Sequence, residues 1–514
     1  MNMNKRILCL LLALACALSL TSCHRSETGT PAAPTLPPAQ AGYAAPTGDE
    51  SLIHSASVPL YLPSLDGQRL LTDYVTLPLN HGQHNAKAIV QALMTRGATQ
   101  QTQALGNGVS LSLFGAQSVE ISCGVCTVNL AATALQLEQE ELYRVCAAIT
   151  ATLCEIEDVQ YVNFLVADQA IGMDITGSLP LGSQTIHPGE ELTVLWEQMT
   201  ARRAPLGENP ADTPVSAVAT LYFPLADGSG IAAETRNLTF AGQSPDQLAS
   251  GLVAALSGGA QYLSGASAMP DLSALMSAPP QTTELDDGGR MLSVYFHAGL
   301  ENTLRQAQVD MPCFISALTY TLTSFIPSVS SVRMYIGGTP LTSLYSAAHG
   351  NLIFQNGLLL RQQFAPYLMD QVTLCFSSGN RLKEVLRALP YQQAHSPRML
   401  LAELMAGPTQ QELDAGYEPV LPEELTADDV LGISLEGDTL LVNLSARCAE
   451  MIRTQATSWE QIACYGMVNT LGEAIGATRV RFFFNGEMLE ELGGTLYWAG
   501  EFLVNPSLID KPLG

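Results

Sequence analysis

The chain has 514 residues, 47% of them hydrophobic and only 14% charged, so it is too long for one core and too apolar to stay unfolded. At ~100–200 residues per domain, that length predicts about three domains. A formal net charge of −25 excludes nucleic acid and anionic lipid headgroups as electrostatic partners, leaving cationic partners or plain solubility as its use.

Lys5 and Arg6 precede an apolar run over residues 7–20 that is too short to span a bilayer comfortably. The run ends in Leu20-Thr21-Ser22-Cys23, which resembles a bacterial lipoprotein signal peptide. That resemblance implies removal of residues 1–22, lipidation of Cys23, and attachment through the lipid anchor to the extracytoplasmic face of the cell membrane. An ordinary cleaved signal beside a chance cysteine is the alternative. Without residues 1–22 the chain keeps 21 basic and 48 acidic residues, a formal charge of −27, so acyl chains and not basic patches must supply membrane affinity. Residues 23–56 are rich in Pro and Ala and predict an extended tether.

A first unit is expected over residues 57–204. It opens on a strand pair around Asp66-Gly67, and a helix follows over residues 85–95, with Ile89, Val90, Leu93 and Met94 on one face. Strand signals at residues 119–122 and 125–130 precede a second helix over residues 138–153 and a strand over residues 159–166. A linker of turn formers over residues 205–214 leads to a second unit, residues 215–350. Its first helix has a readable start in Ser244, Pro245 and Gln247 and a stop at Gly258-Gly259. Asp286-Asp287-Gly288-Gly289 marks a hairpin turn, and Ile315, Leu318, Leu322 and Phe325 stripe the second helix. In the third unit, residues 358–514, Ser396-Pro397 opens the first helix and Gly407-Pro408 ends it, while Ser458 and Gln461 predict a capping box for the second.

The three units are variants of one pattern. Leu60, Tyr61, Pro63, Asp66 and Gly67 recur as Leu221, Tyr222, Pro224, Asp227 and Gly228, and a weaker third copy keeps the same offsets in Val372, Leu374, Gly379 and Leu382. Thr152, Thr321 and Thr470 each begin a helix end, a short turn and an apolar strand. The fold class is therefore α+β: three tandem small mixed-sheet domains of β-β-α-β-β-α-β type, with the helices packed on one face of each sheet.

With Leu221–Pro224, Asp227-Gly228 and Glu234-Thr235-Arg236 in the second unit, and Gly407-Pro408, Val442-Asn443-Leu444-Ser445 and Asn469-Thr470-Leu471 in the third, the repeats resemble the GerMN domain. That resemblance implies a lipoprotein of sporulation or spore germination in the cell envelope. It implies a fold more than an activity, because the motifs are strand, turn and cap residues.

Candidate chemistry is sparse. Cys123 and Cys126 share the spacing of a redox pair, but they fall between two strands instead of at a helix N-terminus, so a hairpin turn is the expected reading. His81 and His84 lack a carboxylate or cysteine at ligand spacing, and Glu423-Glu424 and Asp428-Asp429 depart from a calcium loop. Ser445 has no nucleophile-elbow glycines around it, and Gly258-Gly259 stops a helix instead of cradling phosphate. Most other cysteines sit in apolar runs as buried thiols. No catalytic residue, cofactor or metal is expected.

The favoured function is a non-enzymatic protein-interaction or assembly module, with envelope or sporulation proteins or a second copy as partner. A lipoprotein binding cell-wall glycan or peptide through Trp196, Trp459 and Trp498 is one alternative, and an envelope hydrolase or thiol oxidoreductase is another. A surface-presenting repeat predicts that polar groups of different units do not gather in a shared cleft.

Overall fold

A computed structural model describes residues 43–49, 52–156, 159–172, 182–186, 189–201, 213–285, 289–475, 477–494 and 496–510. The expected signal peptide, Cys23 and most of the expected tether lie outside the described residues, as do residues 205–212 of the linker and Asp286, Asp287 and Gly288 of the expected hairpin turn. No helix among the described residues is long and apolar enough to cross a membrane.

In the first unit β1 (Ile53–Pro63) and β2 (Leu70–Asn80) pair antiparallel, with Tyr61 opposite Thr72. After α1 (Ala86–Thr95) come β3 (Val119–Ser122), β4 (Val125–Leu130), α2 (Gln139–Leu153), β5 (Tyr161–Val166) and the short β6 (Gln169–Ala170). They form a mixed sheet in the order β3-β4-β5-β6, in which only β4 and β5 run parallel because α2 carries the chain back between them. A further helix, α3 (Leu192–Ala201), ends the unit.

The second unit repeats the order with β7 (Val215–Pro224), β8 (Ile231–Phe240), α4 (Pro245–Ser257), the single turn α5 (Leu272–Leu275), β9 (Met276–Glu284) and β10 (Arg290–Phe296). Then follow α6 (Leu300–Gln306), α7 (Met311–Phe325), β11 (Val329–Ile336), β12 (Thr339–Pro340) and a small hairpin of β13 (Ser343–Ser346) and β14 (Gly350–Ile353). The third unit has β15 (Met369–Ser378), β16 (Arg381–Pro390), α8 (Pro397–Ala406), α9 (Gln410–Asp414), β17 (Val430–Glu436) and β18 (Thr439–Leu444). It closes with α10 (Ala446–Arg453), α11 (Thr457–Ile475), β19 (Arg479–Phe484) and β20 (Phe502–Leu503).

The α+β class and the element order are those read from the sequence. The pairing is finer: in every unit the two opening strands make a two-stranded sheet of their own, and the second helix packs between that hairpin and the four-stranded sheet. The helix is buried nearly all round for that reason; Cys313–Phe325 are all buried in α7. Each unit keeps its own core, centred on Leu60, Val128 and Ile149 in the first, Phe223, Val294 and Leu318 in the second, and Phe376, Val442 and Val468 in the third.

Ser244 caps α4 as expected, in a capping box with Gln247 and with Pro245 in the first turn. The capping box expected at Ser458 is not there, because α11 already begins at Thr457 and Ser458 lies inside its first turn.

One buried hydrogen bond fixes how the repeats superimpose. Thr152 Oγ1 accepts the N–H of Tyr61 at 3.0 Å, Thr321 Oγ1 that of Tyr222 at 2.9 Å, and Thr470 Oγ1 that of Cys375 at 2.9 Å. Cys375 is therefore the counterpart of Tyr61, which moves the third opening strand two residues from the ungapped alignment of Val372 with Leu60. The turn absorbs the difference: Pro63 and Leu70 close the first hairpin, but Ser378 and Arg381 close the third. A shift of two leaves every side chain on its own face, so the apolar pattern cannot register it.

Residues 46–49 do not join the first unit. Ile433 N–H donates to Gly48 O at 3.0 Å and Asp49 bridges to Ile433, so this segment lies along the edge of β17 in the third unit. Asn443 Nδ2 holds Pro46 O at 2.9 Å, and Arg398 grips both oxygens of Asp49 at 2.6 Å.

Candidate functional site

Strand β3 of the first unit lies against the second and third units, and polar side chains from all three collect around it. The expectation that units would not share polar groups is thereby corrected. The reason is that β3 is a sheet edge: its pleat sends Glu120 to one side and Ile121 to the other, and its end carries Ser122 and Cys123 into the next two hairpins.

The first gathering is Glu120, Tyr222, Tyr320, Ser324 and Arg361, all of them buried. Arg361 Nη2 lies 2.7 Å from Glu120 Oε2 and 3.3 Å from Tyr222 Oη, its Nη1 donates to Ser324 Oγ, and its guanidinium stacks 3.9 Å over the Tyr320 ring. Tyr320 Oη completes the set with a 3.3 Å bond to Glu120 Oε1. Burial works against the charge on Arg361, but Glu120, Tyr222 and Tyr320 outweigh it and raise its pKa. Every arm of the guanidinium is spent on neighbours, so the cluster joins the units.

The second gathering is His84, Asp370 and His395. Asp370 stands at the start of β15, 7% exposed, with Oδ1 accepting the N–H of Cys123 at 2.7 Å and of Gln371 at 3.0 Å. Its other oxygen, Oδ2, lies 3.1 Å from His84 Nε2, and the His395 ring meets the His84 ring edge-on at 3.8 Å. One ligand atom from each residue falls within 4.8 Å of the others. Burial pushes the Asp370 carboxyl up, yet the His84 hydrogen bond and charge, the Cys123 N–H and His395 together hold it below the usual carboxylate range. A pocket of about 610 Å³ opens beside His84, lined by Asn85, Lys87, Ile121, Tyr391 and Gln393.

The sequence candidates fall as follows. Cys123 and Gly124 form the turn between β3 and β4, with φ of 47° and 83°, and both Cys123 and Cys126 are free thiols. Burial, with Asp370 nearby, pushes the Cys123 thiol up to about 12, and burial raises Cys126 as well, the reverse of what a redox pair needs. His81 stacks on His54 with ring centroids 3.7 Å apart and is outside the His84 cluster. Asp429 accepts from Ser445 Oγ at 2.6 Å and from Thr426 N–H at 3.0 Å, and Ser445 caps α10 by accepting the N–H of Cys448. Glu423, Glu424 and Asp428 are exposed. Gly258 and Gly259 end α4, where Arg236 binds the Gly259 carbonyl.

Trp498 is fully buried with its Nε1 on Glu460 Oε1 at 2.7 Å, while Trp196 and Trp459 pack partly buried against the first and third cores. The sequence reading missed Asp370 and His395 altogether. The one signal that could have raised His395 is that it and His84 each stand immediately before a helix cap, Ser396 and Asn85, in two copies of the same repeat.

The geometry defines a tandem α+β repeat protein whose repeat signatures serve the fold. Glu234 takes the N–H groups of Gln261, Tyr262 and Leu263 in its carboxylate, and Asn129 and Asn443 each brace the turn after the neighbouring parallel strand. The family described as "Germane: Sporulation and spore germination" matches three times, over residues 59–172, 220–342 and 373–490. Together these matches span more than half of the chain, which belongs to that family.

Among solved structures, the chain is similar to the tandem GerMN domains of the sporulation protein GerM from Bacillus subtilis, at 17% identity over 56% of this chain and 92% of that one, with a TM-score of 0.20. It is similar to a putative lipoprotein from Clostridium perfringens at 19% identity over 26% and 87% of the two chains, with a TM-score of 0.19. The first GerMN domain of the Bacillus subtilis protein matches at 16% identity over 25% and 96%, with a TM-score of 0.20. No curated protein matches the chain.

Proposed function

We propose that the chain is a lipoprotein anchored at the extracytoplasmic face of the cell membrane through Cys23, and that its three domains act as a non-enzymatic interaction or assembly module in sporulation or spore germination. The observation that carries this reading is the threefold family match, joined to the signal that ends at Cys23. It is supported by the use of the repeat's motif residues in caps and turns, where they serve the fold. Tyr74 on β2 and Tyr345 and Ile353 on the β13–β14 hairpin are large side chains held out in solvent, the kind that dock on a neighbour.

Cell fractionation tests the anchor: the protein should sediment with membranes and Cys23→Ala should release it. Size exclusion and crosslinking of the lipid-free protein, alone and with sporulation membrane proteins, test the module. Strictly monomeric behaviour with no captured partner, together with normal spores after deletion of the gene, would overturn it. Burial of Trp498 takes one aromatic from the glycan-binding alternative, and failure to sediment with purified peptidoglycan would remove it. The raised thiols of Cys123 and Cys126 and the capping role of Ser445 weigh against the redox and hydrolase alternatives.

A further inference from the structure

The His84, Asp370 and His395 cluster calls for an explanation beyond a partner-binding role, because it places two imidazoles against one buried carboxylate at the junction of the first and third units. The Asp370 and His84 side chains are 7% and 8% exposed. Two imidazoles converging on one carboxylate make the donor set of a transition-metal cation.

The spacing agrees with that. With bonds of about 2.1 Å, ligand atoms on a tetrahedral metal stand about 3.4 Å apart. His84 Nε2 and Asp370 Oδ2 are 3.1 Å apart, and one ligand atom from each of the three residues lies within 4.8 Å of the other two. The supporting atoms are in place: the Cys123 and Gln371 N–H groups hold Asp370 Oδ1 and leave Oδ2 facing His84. Asn80 and Asn85 lock the loop that carries His84 through reciprocal bonds of 2.9 and 3.1 Å, and Tyr391 stacks on the His84 ring at 5.7 Å.

We propose that His84, Asp370 and His395 bind one divalent transition-metal ion that fastens the first unit to the third. Two imidazoles and one carboxylate suit zinc, nickel, cobalt or iron over calcium and magnesium, which prefer all-oxygen shells. Three protein ligands leave a further position for water, which the pocket beside His84 can supply.

The test is calorimetric titration of the EDTA-stripped full chain with zinc chloride at pH 7.5, with cobalt(II) absorption as a spectroscopic readout. One ion per chain is expected, with a Kd below about 10 µM and a four- or five-coordinate cobalt spectrum. His84→Ala and His395→Ala should each weaken binding by about 100-fold or more and abolish that spectrum, whereas His81→Ala, outside the cluster, should leave both unchanged. His395 is only half-buried, so His395→Ala should melt like the parent in EDTA, which separates a lost ligand from a lost fold. No saturable binding near one ion per chain, or a zinc site that survives His395→Ala, would overturn the proposal.

Discussion

Thr321 Oγ1 lies 2.9 Å from the backbone nitrogen of Tyr222, so a hydroxyl on a buried helix supplies the acceptor that a strand would otherwise provide to the outer side of a hairpin. The bond is made again at Thr152 and Thr470, and all three threonines are buried. Thr→Val at any of them keeps the shape and strands one N–H, which should cost about 1–3 kcal/mol. Denaturant unfolding of the three single variants measures it, and a loss that failed to appear in all three would deny the bond its place in the repeat.

Arg361 and Glu120 join the start of the third unit to the first unit, and each is about 5% exposed. Removing one partner leaves the other charged and dry, so Arg361→Ala should cost about 3–5 kcal/mol. Arg361→Met combined with Glu120→Gln should recover part of that loss, because neither variant residue carries a charge. Urea midpoints of the single and double variants decide between a coupled pair and two separate contributions.

Glu234 gives the fold a dependence on acid. Burial pushes its carboxyl up, but the N–H groups of Tyr262 and Leu263, with Arg236, hold it below the ordinary value of 4.5. A depressed folded pKa contributes stability that is fully present above about pH 4.5 and is lost as pH falls through the folded value. Glu234→Gln should therefore be less stable at neutral pH and show a shallower decline between roughly pH 5 and 3. Unfolding midpoints followed across that window would show parallel curves if Glu234 had no such role.

Gly432 lies under the segment that crosses to β17. A Cβ there would stand 2.5 Å from Pro46 O and 2.7 Å from Gly48 N, so Gly432→Ala must push the segment off the strand. Faster proteolysis within residues 43–52 is expected, with little change in the main unfolding transition, because the cores of the three units do not depend on that contact.

The order of elements was legible because each relies on local signals: Ser244, Pro245 and Gln247 at a helix start, and Leu440, Val442 and Leu444 along one face of a strand. Register in the third copy was hidden, since strand periodicity is blind to a shift of two and only Thr470 reveals it. The shared clusters were hidden for a different reason. His84 comes from the first repeat and Asp370 and His395 from the third, and a search for ligands near His84 in the chain could not meet a carboxylate delivered by another hairpin. Glu120 reads locally as a polar residue on a half-buried strand, yet its partner Arg361 comes from beyond the second unit.

The course of residues 46–49 has a mechanical meaning. Tension applied at the start of the chain would be taken up first by the edge of β17 and by the grip of Arg398 on Asp49, and would reach the opening hairpin only after those had sheared. The last repeat in the sequence would thus feel a tug before the first, and the contact on its edge strand would serve as a breakable link ahead of the folded units.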